Sequence, residues 1–330
     1  MQHFFMDIQF HLIFPYNNRK TVDFMHQARK IIHADKPSLQ KYTGNSVGIA
    51  VLDTGIYPHD DFISPLNRIA AFKDFVHHRM DCYDDNGHGT HVCGIIAGNG
   101  HRSNGYYRGM APNAHLIVGK ILDRSGNGSI TNSIKAIHWI LEIQKEYNIR
   151  VLNISVGSES TDIDEEKSIL VRCVNEAWDA GIVVVVAAGN NGPKKMSVTS
   201  PGISRKVITV GSSDDHKAIY IGGTRVYNYS GRGPTRHMIP KPDIVAPGSD
   251  ILSCAPLYNE KSTGYTFRSG TSMATPIVSG AAALLLEKSP YLTNEEVKKQ
   301  LQKTATDLKL PRNQQGFGLL NVEKLLDTLI

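Results

Sequence analysis

Four side chains in separate parts of the sequence have the types needed to cleave a carbonyl compound by nucleophilic attack. Asp53 lies in VLDTGI, His88 in NGHGTHVCG, Asn190 in AAGNNGP and Ser272 in RSGTSMATP. A serine hydroxyl is a weak nucleophile and needs a base such as histidine, which a carboxylate can orient. An asparagine can donate an N–H where negative charge develops on an oxygen. Asp53, His88 and Ser272 are therefore candidates for a triad, with Asn190 as a fourth member.

The segments between these residues alternate between strand-like and helix-like patterns. Near-continuous apolar, β-branched runs predict parallel strands that are buried on both faces. They are Val47–Asp53, Ala114–Leu122, Val151–Gly157, Ile182–Asn190 and, further on, Lys206–Gly211. Helical spacing of apolar residues covers Ser129–Tyr147 and Asp164–Ala180. The alternation predicts an α/β fold with a doubly wound, mostly parallel central sheet and helices on both faces, in three layers.

This fold would collect the candidate residues at one edge of the sheet. Ligands of such sheets bind beyond the carboxyl ends of the strands. Asp53 ends the first predicted strand, and Asn190 ends the fourth. His88 and Ser272 each stand where an apolar helix begins, and there the helix dipole and free N–H groups can stabilise a negative charge. We therefore expect the four residues to meet.

The flanking residues make the match specific. The signatures VLDTGI, NGHGTHVCG, AAGNNGP and GTSMATP together resemble the subtilisin-like serine proteases, from about Val47 to Val322. The resemblance implies a serine endopeptidase that hydrolyses peptide bonds through an acyl-enzyme. In it Asp53 orients the imidazole, His88 is the general base and then the general acid, Ser272 is the nucleophile, and Asn190 is the oxyanion donor.

The resemblance also implies a substrate pocket and the partners of the site. Its walls would be Ser155, Val156 and Gly157 on one side and Ala187, Ala188 and Gly189 on the other. We expect broad specificity, with a preference for large hydrophobic residues before the cut. Proteins or peptides are the expected substrates, and no cofactor is required for the chemistry. For Asp61 and the loop Asn99–Gly109 the resemblance leaves structural calcium as one alternative, because His101 and Arg102 depart from the neutral ligands that are common in the family's calcium loops.

Each of these residues also has a simpler interpretation. His88 and His91 could be ordinary structural histidines or a metal-binding pair, although a pair needs at least a third ligand. Asp53 could be a turn residue of an aspartic-protease motif, but a second copy of that motif is absent. Asn190 could cap a loop, and Ser272 could cap a helix. For His91 we expect a buried, hydrogen-bonded helix residue.

Three other functions are compatible with the same residues. A catalytically silent, protease-like binding protein is the alternative from another functional class. A peptidyl ligase or an esterase could use the same triad for a different reaction.

Composition narrows the class of protein and its partners. The 330 residues carry a net charge of +5, and the basic clusters are too short to indicate a nucleic-acid groove. No apolar run approaches the ~20 residues of a membrane span, so no membrane partner is expected. The four cysteines (Cys82, Cys93, Cys173, Cys254) have no C-x-x-C spacing and predict free thiols. Cys93, five residues after His88, is either a small buried apolar residue or a thiol whose modification would disturb His88.

The first residues lack a strand–helix rhythm, which divides the chain into an N-terminal extension (1–42) and a catalytic domain (43–330). The start of the chain is a poor signal peptide, which favours a cytoplasmic location. The segment HLIFPY, His11–Tyr16, is similar to an inhibitory motif of the bacterial intracellular branch of the family, with an extra Phe14. The extension is therefore either an inhibitory strand across the active site, as in a zymogen, or a plain segment packed on the domain. The oligomeric state does not follow from the sequence.

Overall fold

The structure is a computed structural model that describes residues 24–158, 168–221, 224–257 and 262–327. The strands in these ranges are β1 (Gly48–Asp53), β2 (Ile69–Asp74), β3 (His115–Lys120), β4 (Ile149–Ile154), β5 (Val183–Ala187), β6 (Ile208–Ser212), β7 (Ile219–Ile221), β8 (Thr224–Val226), β9 (Ile244–Ala246), β10 (Ile251–Cys254) and β11 (Tyr265–Arg268). The helices are α1 (Phe24–Ile31), α2 (Asp60–Ile63), α3 (His88–Ala97), α4 (Ile130–Ile143), α5 (Ile169–Asp179), α6 (Thr271–Lys288), α7 (Asn294–Thr304), α8 (Arg312–Gln315) and α9 (Val322–Asp327). Single 3-10 turns cover Pro37–Leu39 and His101–Ser103.

A seven-stranded sheet forms the centre of the molecule, in the order β2-β3-β1-β4-β5-β6-β9, and every neighbouring pair is parallel. The strands β1, β5 and β6 are buried along their whole length. Continuous apolar runs suit this position because helices cover both faces of such a sheet. The predicted fold is confirmed, with three layers in which α3 packs on α6 and α4 packs on α5.

The edge strand β9 of this sheet lies outside the predicted set, and so does the strand at the other edge, β2. Its sequence, IAAFKD, is only partly buried, and it pairs on one side with β3. An edge strand with a half-exposed face has no continuous apolar run, so its pattern resembles that of a loop. The described residues between Ile219 and Leu252 contain short strands and turns.

The described part of the N-terminal extension is packed on the domain. Met25, Ala28 and Ile32 are buried in the same hydrophobic core as the sheet. The Ile32 carbonyl accepts a hydrogen bond from the Val322 N–H (2.8 Å), near the other end of the chain. Residues 24–42 therefore contribute to the core of the predicted catalytic domain. The segment His11–Tyr16 lies outside the described residues.

Helices α6 and α7 follow each other in the C-terminal part of the chain. Helix α6 is buried from Thr271 to Leu286, as its Ala-rich sequence predicts. Helix α7 begins with a capping box: Thr293 Oγ1 accepts from the Glu296 N–H (3.2 Å), and Glu296 Oε2 accepts from the Thr293 N–H (2.8 Å). In the parts of the chain that the structure describes, no helix is long and apolar enough to cross a membrane.

Candidate active site

Asp53 and His88 form the centre of the candidate site. Asp53 is the last residue of β1, and His88 is the first residue of α3. The Nδ1 atom of His88 lies 2.7 Å from Asp53 Oδ1, and both side chains are buried. Because the carboxylate accepts at Nδ1, the other ring nitrogen, Nε2, is the atom that can exchange a proton. The sequence-based expectation that these two residues meet is confirmed.

Thr54 holds the two residues in register. Its N–H donates to Asp53 Oδ1 (2.8 Å), and its Oγ1 accepts from the Gly89 N–H (2.8 Å). A Cβ on Gly89 would lie 2.2 Å from the Gly55 carbonyl oxygen, so only glycine allows the start of α3 to approach β1 this closely. The short distance between carboxylate and imidazole therefore depends on backbone contacts as well as on the two side chains.

Asp84 fixes the loop before His88. Its Oδ1 accepts from the N–H groups of Asn86 (3.1 Å) and Gly87 (2.7 Å), and its Oδ2 accepts from the N–H (2.8 Å) and hydroxyl (2.7 Å) of Thr90. Burial alone would raise the pKa of Asp84, but these hydrogen bonds together lower it below its usual value. The charged carboxylate therefore caps the N-terminus of α3. Sequence reasoning did not identify it, although an aspartate just before a helix is a common capping signal.

Lys120, at the end of β3, is a second residue that the sequence reasoning missed. Its ammonium group is fully buried and donates to the Thr54 carbonyl (2.7 Å), to Asp85 Oδ1 (2.7 Å) and to the Leu122 carbonyl (2.8 Å). It thereby links the end of β1 to the loop that carries His88. A lysine at the end of an apolar strand is the signal that could have indicated a buried, paired cation.

Ser272 and Asn190 form the other half of the site. Ser272 is the second residue of α6, and Asn190 follows β5. Asn190 Oδ1 accepts from the N–H (2.9 Å) and hydroxyl (3.1 Å) of Thr271, the residue before the serine. These bonds fix the orientation of the amide and hold Asn190 next to the start of α6. The expected association of Asn190 with the serine turn is therefore present.

Two side chains join the halves of the site, those of His91 and Arg268. His91 is fully buried, and its Nε2 atom lies 3.0 Å from the Ile251 carbonyl oxygen and 3.1 Å from the Thr266 carbonyl oxygen. Both carbonyls belong to the β10–β11 hairpin, which leads into α6. The guanidinium of Arg268 adds a bond to the Asn86 carbonyl (3.3 Å), two residues before His88.

Burial lowers the pKa of His91 well below its usual value, and the positive charge of Arg268 adds to the effect. His91 is therefore neutral, and its predicted role as a buried, hydrogen-bonded helix residue is confirmed.

The six predicted pocket residues follow two neighbouring strands. Ser155, Val156 and Gly157 follow β4, and Ala187, Ala188 and Gly189 end β5 or follow it. These strands pair in parallel, with Ile154 opposite Val186, so the two segments leave the sheet side by side. Gly189 has φ +87°, a conformation that favours glycine.

Cys93 occupies the interior of α3 and is fully buried. Burial raises the pKa of its thiol well above the usual value, and the nearby charges of Asp53 and Asp84 act in the same direction. The thiol is therefore protonated and unreactive, which favours the interpretation as a small apolar residue. All four cysteines are free, as predicted.

Asp61 lies in α2, fully buried among protein donors. The Tyr265 hydroxyl is 3.0 and 2.9 Å from its two oxygens, and the Arg102 N–H donates to Oδ1 (2.9 Å). The Cys254 thiol lies 3.5 Å from Oδ2, and His59 Nδ1 lies 3.7 Å from Oδ1. Calcium takes about six to eight oxygen ligands. A single carboxylate beside an imidazole and a thiol does not fit that ion.

Two arginines hold the region in which calcium was expected. Arg68 donates through its guanidinium to the backbone carbonyls of Asp61 and Ala97. Burial lowers its pKa to about 10, while Asp61 acts in the opposite direction, so Arg68 remains a cation near neutral pH. Arg102 pairs with Asp60 Oδ2 (2.9 Å) and donates to the Thr263 carbonyl (3.0 Å). Positive charge from the protein itself therefore stabilises Asp61 and its loop.

Comparison with known proteins decides the family. The profile described as Subtilase family matches residues 44–319. The chain belongs to the subtilase family. Serine protease AprX of Bacillus subtilis is 42% identical over 325 residues, which cover 93% of this chain and 73% of AprX. Subtilisin Savinase of Lederbergia lenta is 36% identical over 281 residues, covering 85% of this chain and 91% of Savinase.

Solved structures agree with this assignment. The structure titled Sphericase has 31% sequence identity and a TM-score of 0.72, and the match covers 89% of this chain and 97% of that one. This subtilase is a serine endopeptidase that acts on proteins or peptides, and the family needs no cofactor for catalysis.

Proposed function

We propose that Asp53, His88 and Ser272 are the catalytic triad of this subtilase and that Asn190 is its oxyanion donor. The observation that carries the proposal is the 2.7 Å contact between buried Asp53 and His88. A buried carboxylate that accepts from Nδ1 keeps the imidazole in one tautomer and stabilises the imidazolium that forms during the reaction. Ser272 adds a hydroxyl at the N-terminus of a buried helix.

These residues account for each step of peptide hydrolysis. Ser272 Oγ bonds to the scissile carbonyl carbon while His88 Nε2 takes the hydroxyl proton. The proton passes to the leaving amine as the C–N bond breaks, which leaves an ester on Ser272. Water then attacks this ester with His88 again as the base, and the serine is released. In both halves of the reaction Asp53 stays ionised beside the imidazolium.

A covalent serine inhibitor tests the triad directly. A fluorophosphonate should form a bond from phosphorus to Ser272 Oγ with loss of fluoride, and peptide mapping should find the adduct on that residue. Ser272→Ala should not be labelled. Ser133→Ala should be labelled like the wild type, since it removes a buried hydroxyl in α4 that donates to the carbonyl of Ser129, the residue before this helix (3.2 Å). An adduct on another serine, or none on the folded wild type, contradicts the proposal and favours a silent binding protein.

Replacement of Asn190 tests the oxyanion donor. Asn190→Leu is expected to lower kcat by about 10²–10³ with little change in KM, because the lost N–H acts mainly in the transition state. This scale is taken from the equivalent asparagine of subtilisin, a member of the same family.

The leucine variant also loses the acceptor for Thr271, so Asn190→Asp is the control. It keeps that acceptor but lacks the amide donor. Both variants should show the loss in steady-state assays, and an active Asn190→Asp enzyme would exclude the donor role.

The substrate pocket is part of the same proposal. Ser155, Val156 and Gly157 would form one wall, and Ala187, Ala188 and Gly189 would form the other. Support comes from the adjacent ends of β4 and β5, which leave a substrate backbone room to approach along glycines. The preference for large hydrophobic residues, the inhibitory extension and the cytoplasmic location stay predictions.

A further inference from the structure

Three side chains that can bind a metal ion meet between helices α4 and α5. His138 belongs to α4, and Cys173 and Glu176 belong to α5. One donor atom from each residue lies within 4.8 Å of the donor atoms of the other two. The three atoms are an imidazole nitrogen, a thiol sulfur and a carboxylate oxygen. None of these residues belongs to the proposed active site.

Helical spacing and helix packing bring the three side chains together. Cys173 and Glu176 are three positions apart, so they lie on one face of α5. Helix α4 packs on α5, and the Nε2 atom of His138 lies 3.4 Å from Glu176 Oε2. The strand β4 separates the two helices in the sequence. A bond between these side chains would therefore join parts of the chain that are connected only through the sheet.

The distance between His138 and Glu176 is that of two ligands on one zinc ion. Zinc binds imidazole nitrogen and carboxylate oxygen at about 2.0–2.2 Å in tetrahedral geometry, which places these two ligands about 3.3–3.5 Å apart. The observed separation is 3.4 Å. The chemistry of the donors agrees, because thiolate and imidazole ligands favour zinc, whereas calcium and magnesium prefer oxygen ligands alone.

The position of the cluster at the surface gives an ion access from solvent. The side chains of His138 and Glu176 are 53% and 57% exposed, whereas Cys173 is only 5% exposed. Exposed side chains adopt several rotamers, so small rotations can bring both donor atoms to the zinc–ligand distance from the thiol. The open side leaves room for a water molecule as the fourth ligand.

Another cluster with the same ligand types, formed by His59, Asp61 and Cys254, is a weaker candidate. All three residues are buried, which closes the cluster to solvent. The Asp61 oxygens already accept from the Tyr265 hydroxyl (3.0 and 2.9 Å) and from the Arg102 N–H (2.9 Å). An ion would have to displace these donors from a packed interior. The exposed cluster between α4 and α5 requires no such displacement from the core.

We propose that His138, Cys173 and Glu176 bind a zinc ion, with water as the fourth ligand, and that the ion links α4 to α5. When zinc binds, Cys173 Sγ releases its proton to solvent and bonds to the metal as a thiolate. The negative charges of the thiolate and of Glu176 then balance the two positive charges of the ion. The ion stabilises the fold because the three ligands are brought together only in the native structure.

Cobalt(II) tests the site directly, because a bond from cobalt to a thiolate absorbs in the near ultraviolet. The Ser272→Ala protein serves as the background, so that self-digestion does not interfere. One equivalent of cobalt should produce the band, and zinc should remove it. Cys173→Ser should abolish the band, whereas the control Cys82→Ser, which replaces a partly exposed thiol in the loop before His88, should retain it. A band that persists in Cys173→Ser, or none in the background protein, overturns the proposal.

Thermal unfolding tests the link between the helices. Zinc at about 100 times its Kd should raise the Tm of this 330-residue chain by about 4 °C. His138→Asn and Glu176→Gln should each raise the Kd for zinc by about 100-fold or more and remove most of this shift, since even the loss of a group that only orients a ligand costs about 10–100-fold.

The control for these variants is His216→Asn, which replaces an exposed histidine before β7 and should keep the full shift. An ordinary ion pair between His138 and Glu176 predicts a different result. The two variants would then change Tm equally with and without zinc, and zinc would not stabilise the background protein. That result overturns the proposal, whatever the outcome of the tests of the triad.

Discussion

Ser272→Ala is expected to lower the turnover of a peptide substrate by about 10⁶-fold, the scale known for the nucleophile of subtilisin, a member of the same family. The physical reason is that, without the Ser272 hydroxyl, no side chain of the triad can accept the acyl group of the substrate. Water would have to attack the scissile carbonyl carbon directly, without an acyl-enzyme intermediate. The residual rate would come from the oxyanion donor and from substrate binding.

The measurement is kcat and KM on a chromogenic peptide, with enzyme concentrations high enough to detect slow turnover. KM should change little, because the serine hydroxyl contributes mainly in the transition state. Ser133→Ala is the matched control and should retain wild-type turnover. A Ser272→Ala enzyme with more than a few per cent of wild-type activity would show that another residue is the nucleophile.

Asp53→Asn is expected to lower kcat by about 10⁴-fold, as the corresponding change does in other serine proteases. Asp53 Oδ1 accepts from both the His88 ring and the Thr54 N–H, so an asparagine oxygen could keep either contact. The variant nevertheless loses the negative charge that stabilises the imidazolium. Its amide N–H groups could also face His88 and impose the wrong tautomer.

The design separates this effect from damage to the fold. Asp179→Asn removes an exposed carboxylate that pairs with Lys206 at 2.6 Å, and it should leave kcat unchanged. Phosphonylation of Ser272 should slow in Asp53→Asn along with hydrolysis, because both reactions need the same base. If hydrolysis falls but phosphonylation proceeds at the wild-type rate, Asp53 does not act through His88.

The parts of the site that follow a strong local pattern could be predicted from the sequence. Asp53 ends a continuous apolar run, and Ser272 lies in the first turn of an Ala-rich helix, so periodicity alone places both at the right edge of the sheet. His91 was expected to be structural, and its contacts with two carbonyls confirm this. These predictions succeed because each depends on elements that form from neighbouring residues.

The residues that sequence reasoning missed act across long separations. Lys120 lies 66 positions from Thr54, and nothing near it in the chain shows that its ammonium group reaches that carbonyl. Calcium near Asp61 stays a prediction, and the sequence did not show that Arg68 and Tyr265, which come from distant segments, contact Asp61.

The burial of α6 affects how well this enzyme resists cleavage by other copies of itself. A protease meets other copies of itself, and exposed loops such as the one around Met80 are natural sites of attack. A cut there leaves the nucleophile in place, because Ser272 begins a helix that is enclosed for sixteen residues by the sheet and by α3. Proteolysis of that helix requires the whole core to open. A molecule that is cut in this loop should therefore remain active. The time until it is inactivated depends on how often the core unfolds, and so on the free energy of unfolding.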